Sequence, residues 1–173
     1  MQGRVLYASG RQRLAFRAVN RRNAPGYQPH LQRHHLLPCQ LLHRRCFGAF
    51  FDEVGKARIG FDDFRRNGML LPAREDAAMR MALPLHRGPH REYNAMVIER
   101  VGHIESCWAR SRVRDSESAG ADALMRLGLL QTALRRRLLD EARPFLLSRK
   151  DPAAREVDFS DLDALAEELW RAT

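Results

Sequence analysis

Apolar residues recur at helical spacing in three parts of the chain. In residues 40–54, large apolar side chains fall roughly on one face of a helix that Gly55 closes. Two longer helices are predicted further along the chain, with a polar break at residues 111–120 between them. A further short helix is expected to start at Ser160. The positions that define these two longer helices are Val97, Val101, Ile104 and Trp108, then Leu124, Leu127, Leu130, Leu134, Leu138, Ala142 and Phe145 in residues 121–147. The chain is therefore predicted to be mostly helical.

Two short apolar runs, residues 34–37 and 69–71, each end at a proline. Because proline cannot donate to a strand ladder, each run is predicted to be a short strand. Asn67-Gly68 precedes the second run and indicates a hairpin or bulge, since both residues tolerate positive φ. Together with the helical pattern, these strands predict an α+β fold that is predominantly helical.

The length of 173 residues and the 45% hydrophobic content are those of one globular domain. No run of 18 apolar residues is present, so no transmembrane helix is predicted. The N-terminus carries no apolar segment typical of a secretory signal. We therefore expect a cytoplasmic protein, with export by a route that needs no cleaved signal as the alternative.

The net positive charge of the chain comes from its N-terminal end. Residues 1–50 contain nine arginines and no Asp or Glu, whereas acidic and basic residues balance in residues 51–173. Such asymmetry favours a polyanionic partner, because arginine pairs with phosphate and releases counterions. The alternative is a basic arm that serves only solubility.

The cysteines do not predict chemistry. Cys39, Cys46 and Cys107 are an odd number with no CxxC pair, so neither a disulfide framework nor a zinc knuckle is expected. We interpret them as small buried hydrophobic residues. Cys39, His43 and Cys46 are rejected as a metal site because they fall in the predicted apolar helix, and His43 and His103 are assigned to structure.

The histidines are concentrated in two short segments, with His34-His35 in one and His86 and His90 in the other. Adjacent residues of a strand point to opposite faces. One imidazole of the His34-His35 pair could therefore bind a metal while its neighbour acts as a base. His86 and His90 have the spacing that places two rings on one helical face, but Gly88-Pro89 interrupts. We therefore expect His90 in the first helical turn and His86 in the preceding loop.

These segments belong to three motifs that occur in a fixed order. They are Arg33-His34-His35-Leu-Leu-Pro, then Asn67-Gly68-x-Leu-Leu-Pro, then His86-x-Gly-Pro-His90-x-x-Tyr93-Asn. The ordered set resembles the AHH branch of the HNH (His-Me finger, ββα-metal) endonuclease superfamily, often met as nuclease modules of bacterial toxin systems. The resemblance runs from about residue 33 to residue 100.

The resemblance implies an organisation of the chain and a role for each histidine. A ββα-metal core is expected in residues 33–110, preceded by a basic N-terminal arm (1–32) and followed by C-terminal helices (111–173), within one domain overall. His34 would be a metal ligand, and His35 the general base. His86 and His90 would complete the metal site, although a contact between His86 and the scissile phosphate is left open.

The other motif residues would support this site. Tyr93 would pack or hydrogen-bond beneath it, and Asn67 would orient the base or brace the loop that holds it. Arg33 stands where the family name leads us to expect a small Ala or Gly, so either the strand sits differently or Arg33 faces phosphate. With Arg44 and Arg45, it is a candidate for contact with nucleic acid.

The chemistry implied is phosphodiester hydrolysis with one divalent cation as Lewis acid and a neutral imidazole as base. An all-imidazole ligand set favours Zn²⁺, Ni²⁺ or Mn²⁺, with Mg²⁺ as the alternative. We predict a metal-dependent endonuclease that cuts DNA with low sequence specificity, of toxin type, with an immunity protein as a further partner. The alternatives are a non-catalytic nucleic-acid-binding protein with structural zinc, and a ribonuclease.

Overall fold

The two strands pair with each other, but the first spans residues 31–35 and not the predicted 34–37, because the Leu37 amide bonds to the side chain of Asn67 and has left the ladder. Strand β1 (Leu31–His35) runs antiparallel to strand β2 (Gly68–Pro72), so that His34 lies opposite Met69 and His35 opposite Gly68. This pairing is seen in a computed structural model, which describes residues 12–142 and 145–155. The sheet carries the first histidine pair and covers one side of the core.

Helices form most of the remaining described chain, which confirms the α+β, predominantly helical prediction. The longest two, α5 and α6, pack against each other and against α1, and their shared interior is the core. The α-helices are α1 (Gly48–Val54), α2 (Lys56–Ile59), α3 (Phe64–Asn67), α4 (Glu75–Met81), α5 (Arg91–Ser111) and α6 (Ser116–Leu138). Short 3₁₀ helices span Phe16–Ala18, Cys39–His43, Arg45–Phe47 and Pro152–Arg155.

Helix α5 follows the predicted apolar pattern, and Val97, Val101, Ile104 and Trp108 are all buried. The predicted helix over residues 40–54 is instead two 3₁₀ helices followed by α1. Arg44 separates the two 3₁₀ helices with an extended backbone, in a run of exposed polar residues that a continuous helix would have had to accommodate. Gly55 ends α1 as predicted, with φ of 89°.

Helix α6 begins earlier and ends earlier than its apolar pattern indicated. Asp115 caps its start, where a carboxylate oxygen accepts a hydrogen bond from the Ser118 amide at 2.9 Å, so that part of the predicted polar break is helical. After Leu138 the chain turns, and Asp140 accepts from the Ala142 amide, which competes with helical hydrogen bonding. The predicted extension of this helix to residue 147 is therefore wrong.

The prediction that Asn67-Gly68 forms a hairpin or bulge is also wrong. Asn67 ends α3, and Gly68 opens β2 with an extended backbone of φ −120°. The glycine is needed for space, because a Cβ there would lie 2.3 Å from the Phe64 ring. A pattern that is typical of turns thus marks a close approach between a helix and a strand.

The interpretation of the cysteines as buried is also wrong. Cys39 and Cys46 are exposed and Cys107 is half-buried, so they are not buried hydrophobic residues; all three are free thiols. Arg135 on α6 is half-buried, and its guanidinium donates to the carbonyls of Gly68, Arg65 and Arg66 at 2.8 to 3.3 Å. It therefore ties α6 to the C-terminal end of α3.

Within the described ranges no helix has the length and apolarity needed to cross a membrane. The helix predicted to start at Ser160 lies outside the described residues.

Candidate metal centre

The pleat of β1 separates the two adjacent histidines. His34 is buried, with 3% of its surface exposed, and its ring lies against the rings of His86, His90 and Tyr93. His35 is half-buried, and its ring stacks in parallel on Phe16 with centroids 3.7 Å apart. Neighbouring imidazoles therefore occupy different environments.

His34, His86 and His90 converge although they come from distant parts of the sequence. Their ring centroids are 5.0 Å apart for His34 and His86, 5.7 Å for His34 and His90, and 4.3 Å for His86 and His90. One nitrogen from each ring lies within 4.8 Å of the others, which makes them the group of potential metal ligands that the described chain brings together. His90 precedes the first residue of α5, and His86 lies in the loop before it.

The outer hydrogen bonds of this cluster leave nitrogen lone pairs available. The Nδ1 atom of His86 lies 3.1 Å from the Gln32 side-chain oxygen, and that of His90 lies 3.1 Å from the Leu147 carbonyl. Because both oxygens accept, each Nδ1 carries the proton and each Nε2 is left as an acceptor. Within the described residues the buried Nε2 of His34 has no hydrogen-bond partner. A divalent cation would satisfy all three, so the donor set fits a metal ion.

The electrostatic setting favours neutral rings. Burial, reinforced by the neighbouring His86 and His90, lowers the pKa of His34 to about 2. Burial and the adjacent His90 lower the pKa of His86 to about 4. Neutral imidazole is the form that ligates metals, so both residues are ready to do so at neutral pH.

Asn67 and Tyr93 hold the segment that leaves β1. The side-chain oxygen of Asn67 accepts from the Leu37 amide at 2.7 Å, and its side-chain nitrogen donates to the carbonyls of Leu37 and Phe61, all within the core. The Tyr93 hydroxyl donates to the Leu36 carbonyl at 2.7 Å. The Asn67 side chain thus ties the loop after β1 to the turn before α3, and His35 is not among its hydrogen-bond partners in the described chain. Tyr93 presents its ring to His34, with centroids 4.9 Å apart.

His35 has its own set of neighbours. Burial holds its pKa below the ordinary value, Asp62 acts in the opposite direction and Arg33 in the same one. The Arg33 guanidinium donates to the Phe16 carbonyl at 2.7 Å, and β1 pairs regularly through Arg33 opposite Leu70. Arginine at this position therefore leaves the strand in place and anchors the ring that stacks on His35.

The other arginines proposed from the sequence lie apart from these contacts. Arg44 and Arg45 are exposed on the 3₁₀ segment that precedes α1. Neither has a side-chain hydrogen bond to a residue of the histidine cluster among the contacts of the described chain.

The segment of residues 145–151 contributes to the site in a way that the sequence did not reveal. Asp151 is buried and accepts from the Leu85 amide at 2.7 Å, directly before His86. Leu147, in the same segment, supplies the carbonyl that His90 contacts. The segment thus fixes the loop of one histidine and the tautomer of the other.

Gln32, Gln131 and Asp151 are the supporting residues that sequence analysis missed. Gln131, buried on α6, donates to the Asn67 side-chain oxygen at 3.2 Å, and a polar residue within the Leu face of that helix was the available signal. Gln32, two residues before His34, and Asp151 carried no local signal. Their roles depend on contacts between distant segments.

A comparison with protein families agrees with these observations. A family model described as AHH, a nuclease family of the HNH/ENDO VII superfamily with conserved AHH, matches residues 15–131, about two-thirds of the chain. No curated protein and no solved structure matches the chain. The matched range contains the histidine cluster and also His35, Asn67 and Tyr93. The resemblance inferred from the ordered motifs is therefore confirmed. The chain therefore belongs to the AHH family of nucleases in the HNH/ENDO VII superfamily.

Proposed function

We propose that the protein is a metal-dependent endonuclease that hydrolyses phosphodiester bonds in DNA with low sequence specificity. In this proposal β1, β2 and the start of α5 form the ββα-metal core. His34, His86 and His90 hold one divalent cation, and His35 is the general base.

The observation that carries this proposal is the contrast within the His34-His35 pair. His34 is buried in the cluster with an unpartnered Nε2, whereas His35 lies outside that cluster. A metal-assisted hydrolase needs both functions, and a base that was itself a ligand could not accept a proton from water.

The bound cation would supply Lewis-acid stabilisation of the negative charge that develops on the phosphate and on the leaving 3′ oxygen. The three-imidazole donor set favours Zn²⁺, Ni²⁺ or Mn²⁺ over Mg²⁺. Gln32 and the Leu147 carbonyl keep the proton of His86 and of His90 on Nδ1, which presents Nε2 to the cation.

The chain's own residues would perform the proton transfer. His35, kept neutral at pH 7 by its lowered pKa, accepts a proton from the attacking water. Phe16 holds the plane of this ring by stacking, while Asn67 and Tyr93 brace the segment that follows β1. Asn67 therefore acts as a positioning residue for the loop.

The test uses the full chain, stripped of metal with a chelator and reloaded with Zn²⁺, Mg²⁺, Mn²⁺ or Ni²⁺. Supercoiled plasmid and RNA are the two substrates. We expect nicking of the plasmid with at least one ion, and His35→Ala should abolish nicking while the metal stays bound. His43→Ala, which removes an exposed histidine outside the cluster, serves as the matched control and should cleave normally.

Retained cleavage by His35→Ala would remove the assignment of the base. Cleavage of RNA alone would convert the proposal to a ribonuclease. Salt-sensitive DNA binding with no cleavage under any ion would favour the alternative of a non-catalytic nucleic-acid-binding protein with structural zinc.

The proposal extends to a toxin-type role, with an immunity protein as partner. Its support is the resemblance to nuclease modules of bacterial toxin systems. Induced expression of the chain in a bacterium should then arrest growth and degrade the chromosome, whereas expression of His35→Ala should do neither. Normal growth with active enzyme present would contradict the toxin role.

A further inference from the structure

A cleft of about 780 Å³ lies beside the histidine cluster. One wall is formed by residues 87–93, which include the loop between His86 and His90 and the start of α5. The other wall is formed by residues 146–150, which include Leu147, the carbonyl partner of His90. The two segments that form the walls of the cleft therefore also hold His86 and His90 in the candidate metal centre.

The cleft is lined by basic side chains. Arg87 and Arg91 are exposed on one wall, and Arg149 and Lys150 are exposed on the other. Glu92 is the acidic residue among the lining side chains, and it lies 3.9 Å from Arg149 with both groups largely exposed. An ion pair of that length and exposure contributes little, so it can be exchanged for a phosphate contact.

The location of these basic residues in a cleft favours a role in binding. Basic residues scattered over a surface are usually only solvated, but here four of them face one another across a cleft that borders the proposed hydrolytic site. The positive end of the dipole of α5, a helix of 21 residues, adds to the potential on one wall. A cleft with one dominant sign of charge concentrates counter-ions, and a phosphate chain is a polyvalent counter-ion.

We propose that this cleft binds the phosphate backbone of the nucleic acid next to the bond that is cut. This inference rests on the proposed function and adds to it a surface for the substrate. The wall of residues 146–150 lies outside the range matched by the AHH family model, so half of the surface comes from the C-terminal part of this chain. Among the described residues, those that line the cleft all lie outside the basic N-terminal stretch that the sequence favoured.

The experiment measures binding without cleavage. Metal-stripped full chain is titrated into a fluorescent DNA duplex, and anisotropy gives the Kd at several salt concentrations. The test variant is Arg149→Gln/Lys150→Gln, and the matched control is Arg100→Gln/Arg114→Gln, which removes the same charge from exposed positions outside the cleft.

The test variant should bind DNA roughly tenfold or more weakly near 100 mM salt, with the slope of log K against log salt reduced by about 2. The control should keep both values close to those of the wild type. Zn²⁺ affinity should be unchanged in both variants, which shows that the histidine cluster is intact.

The cleft assignment would be overturned if the test variant bound DNA as tightly as the wild type. It would also be overturned if the test and control variants lost the same affinity. Loss of affinity for an acidic polypeptide such as polyglutamate, with DNA binding unchanged, would overturn it in favour of a protein partner. The proposed function fails separately: a chain that binds DNA through the cleft but never cleaves it keeps this inference and loses the nuclease mechanism.

Discussion

The two faces of β1 hold chemically identical side chains in different ways. On one face, His34 is enclosed by three aromatic rings and has almost no contact with solvent. On the other, His35 is half-buried and is supported mainly by one stacked ring, that of Phe16. The alternation of a strand thus places adjacent imidazoles in environments of different polarity, and the environment selects one as ligand and the other as base.

The two faces also differ in how rigidly they are braced. The segment that follows β1 is held by hydrogen bonds of Asn67 and Tyr93 within the core, and the Tyr93 ring also packs against His34. The support of His35 begins at Arg33, an exposed side chain that reaches back to Phe16. We therefore expect substitutions on the His34 face to have larger effects than those on the His35 face.

The largest difference should appear in metal affinity. His34→Ala should weaken Zn²⁺ binding by roughly a hundredfold or more, because it removes a buried ligand, whereas His35→Ala should leave it unchanged. Isothermal titration of the stripped proteins measures both. His86→Ala, at a less buried position, gives a second ligand variant in case His34→Ala fails to fold; strong Zn²⁺ binding by His86→Ala would break the comparison.

Asn67→Ala should destabilise the fold by about 3 kcal/mol. It removes an amide with 0% exposure and leaves the amide of Leu37 and the carbonyls of Leu37 and Phe61 without their partner. Chemical denaturation measures the free energy of unfolding. The matched control is Asn23→Ala, at an exposed position, which should change it by less than about 0.5 kcal/mol. Equal effects of the two substitutions would show that the brace is unimportant.

The metal-free protein should lose stability as the pH falls below 6.5. The unfolded chain binds a proton at the ordinary His pKa of 6.5, while folded His34 resists protonation down to about 2, so acid favours unfolding throughout that window. Between pH 7 and pH 5.5, the free energy of unfolding should fall by on the order of 1 kcal/mol per pH unit below 6.5 from this group. His34→Gln should flatten the dependence more than His35→Gln, and identical slopes would contradict the contrast.

Asp151→Ala should weaken Zn²⁺ binding by about tenfold, the usual effect of an outer support. It frees the Leu85 amide and so loosens the loop that carries His86. Asp151→Asn keeps an acceptor oxygen and should bind Zn²⁺ almost as well as the wild type. If both variants bound normally, residues 145–151 would have no role in the metal centre.

The smallest effect is expected on the other face. Phe16→Leu removes the ring on which His35 stacks and should lower the cleavage rate by less than about tenfold, without changing Zn²⁺ affinity. Phe47→Leu, a similar truncation in the core away from β1, controls for loss of packing. A reduced Zn²⁺ affinity in Phe16→Leu would show that the two faces are not independent.

Much of the architecture could be predicted because its signals are local. The period of Val97, Val101, Ile104 and Trp108 identified α5, and the proline-ended run at residues 69–71 identified β2. The run at residues 34–37 overlapped only the end of β1. The errors arose where one local signal has several structural uses. Asn67-Gly68 is typical of turns, yet here the glycine makes room for Phe64 and the asparagine braces a loop.

Some residues of the candidate site were likewise indicated by a local sequence pattern, and others were not. Motif order along the chain was sufficient to suggest which imidazoles belong together, and the family match agrees with the resemblance it carried. The supports supplied by Gln32, Leu147 and Asp151 had no such pattern, because one is a backbone carbonyl and the others are single polar residues. No periodicity links residue 147 to residue 90.

The sequence by itself determined the helical content, the strand pair, the histidine motifs and the charge imbalance, since each depends on residues that are neighbours along the chain. Only the tertiary structure decided which face of β1 each histidine occupies and how buried each becomes. It also decided that residues 145–151 contact His90 and the loop that carries His86. The reason is physical: burial, hydrogen-bond partnership and pKa are properties of packed surroundings, and those surroundings are assembled from segments that lie far apart in sequence.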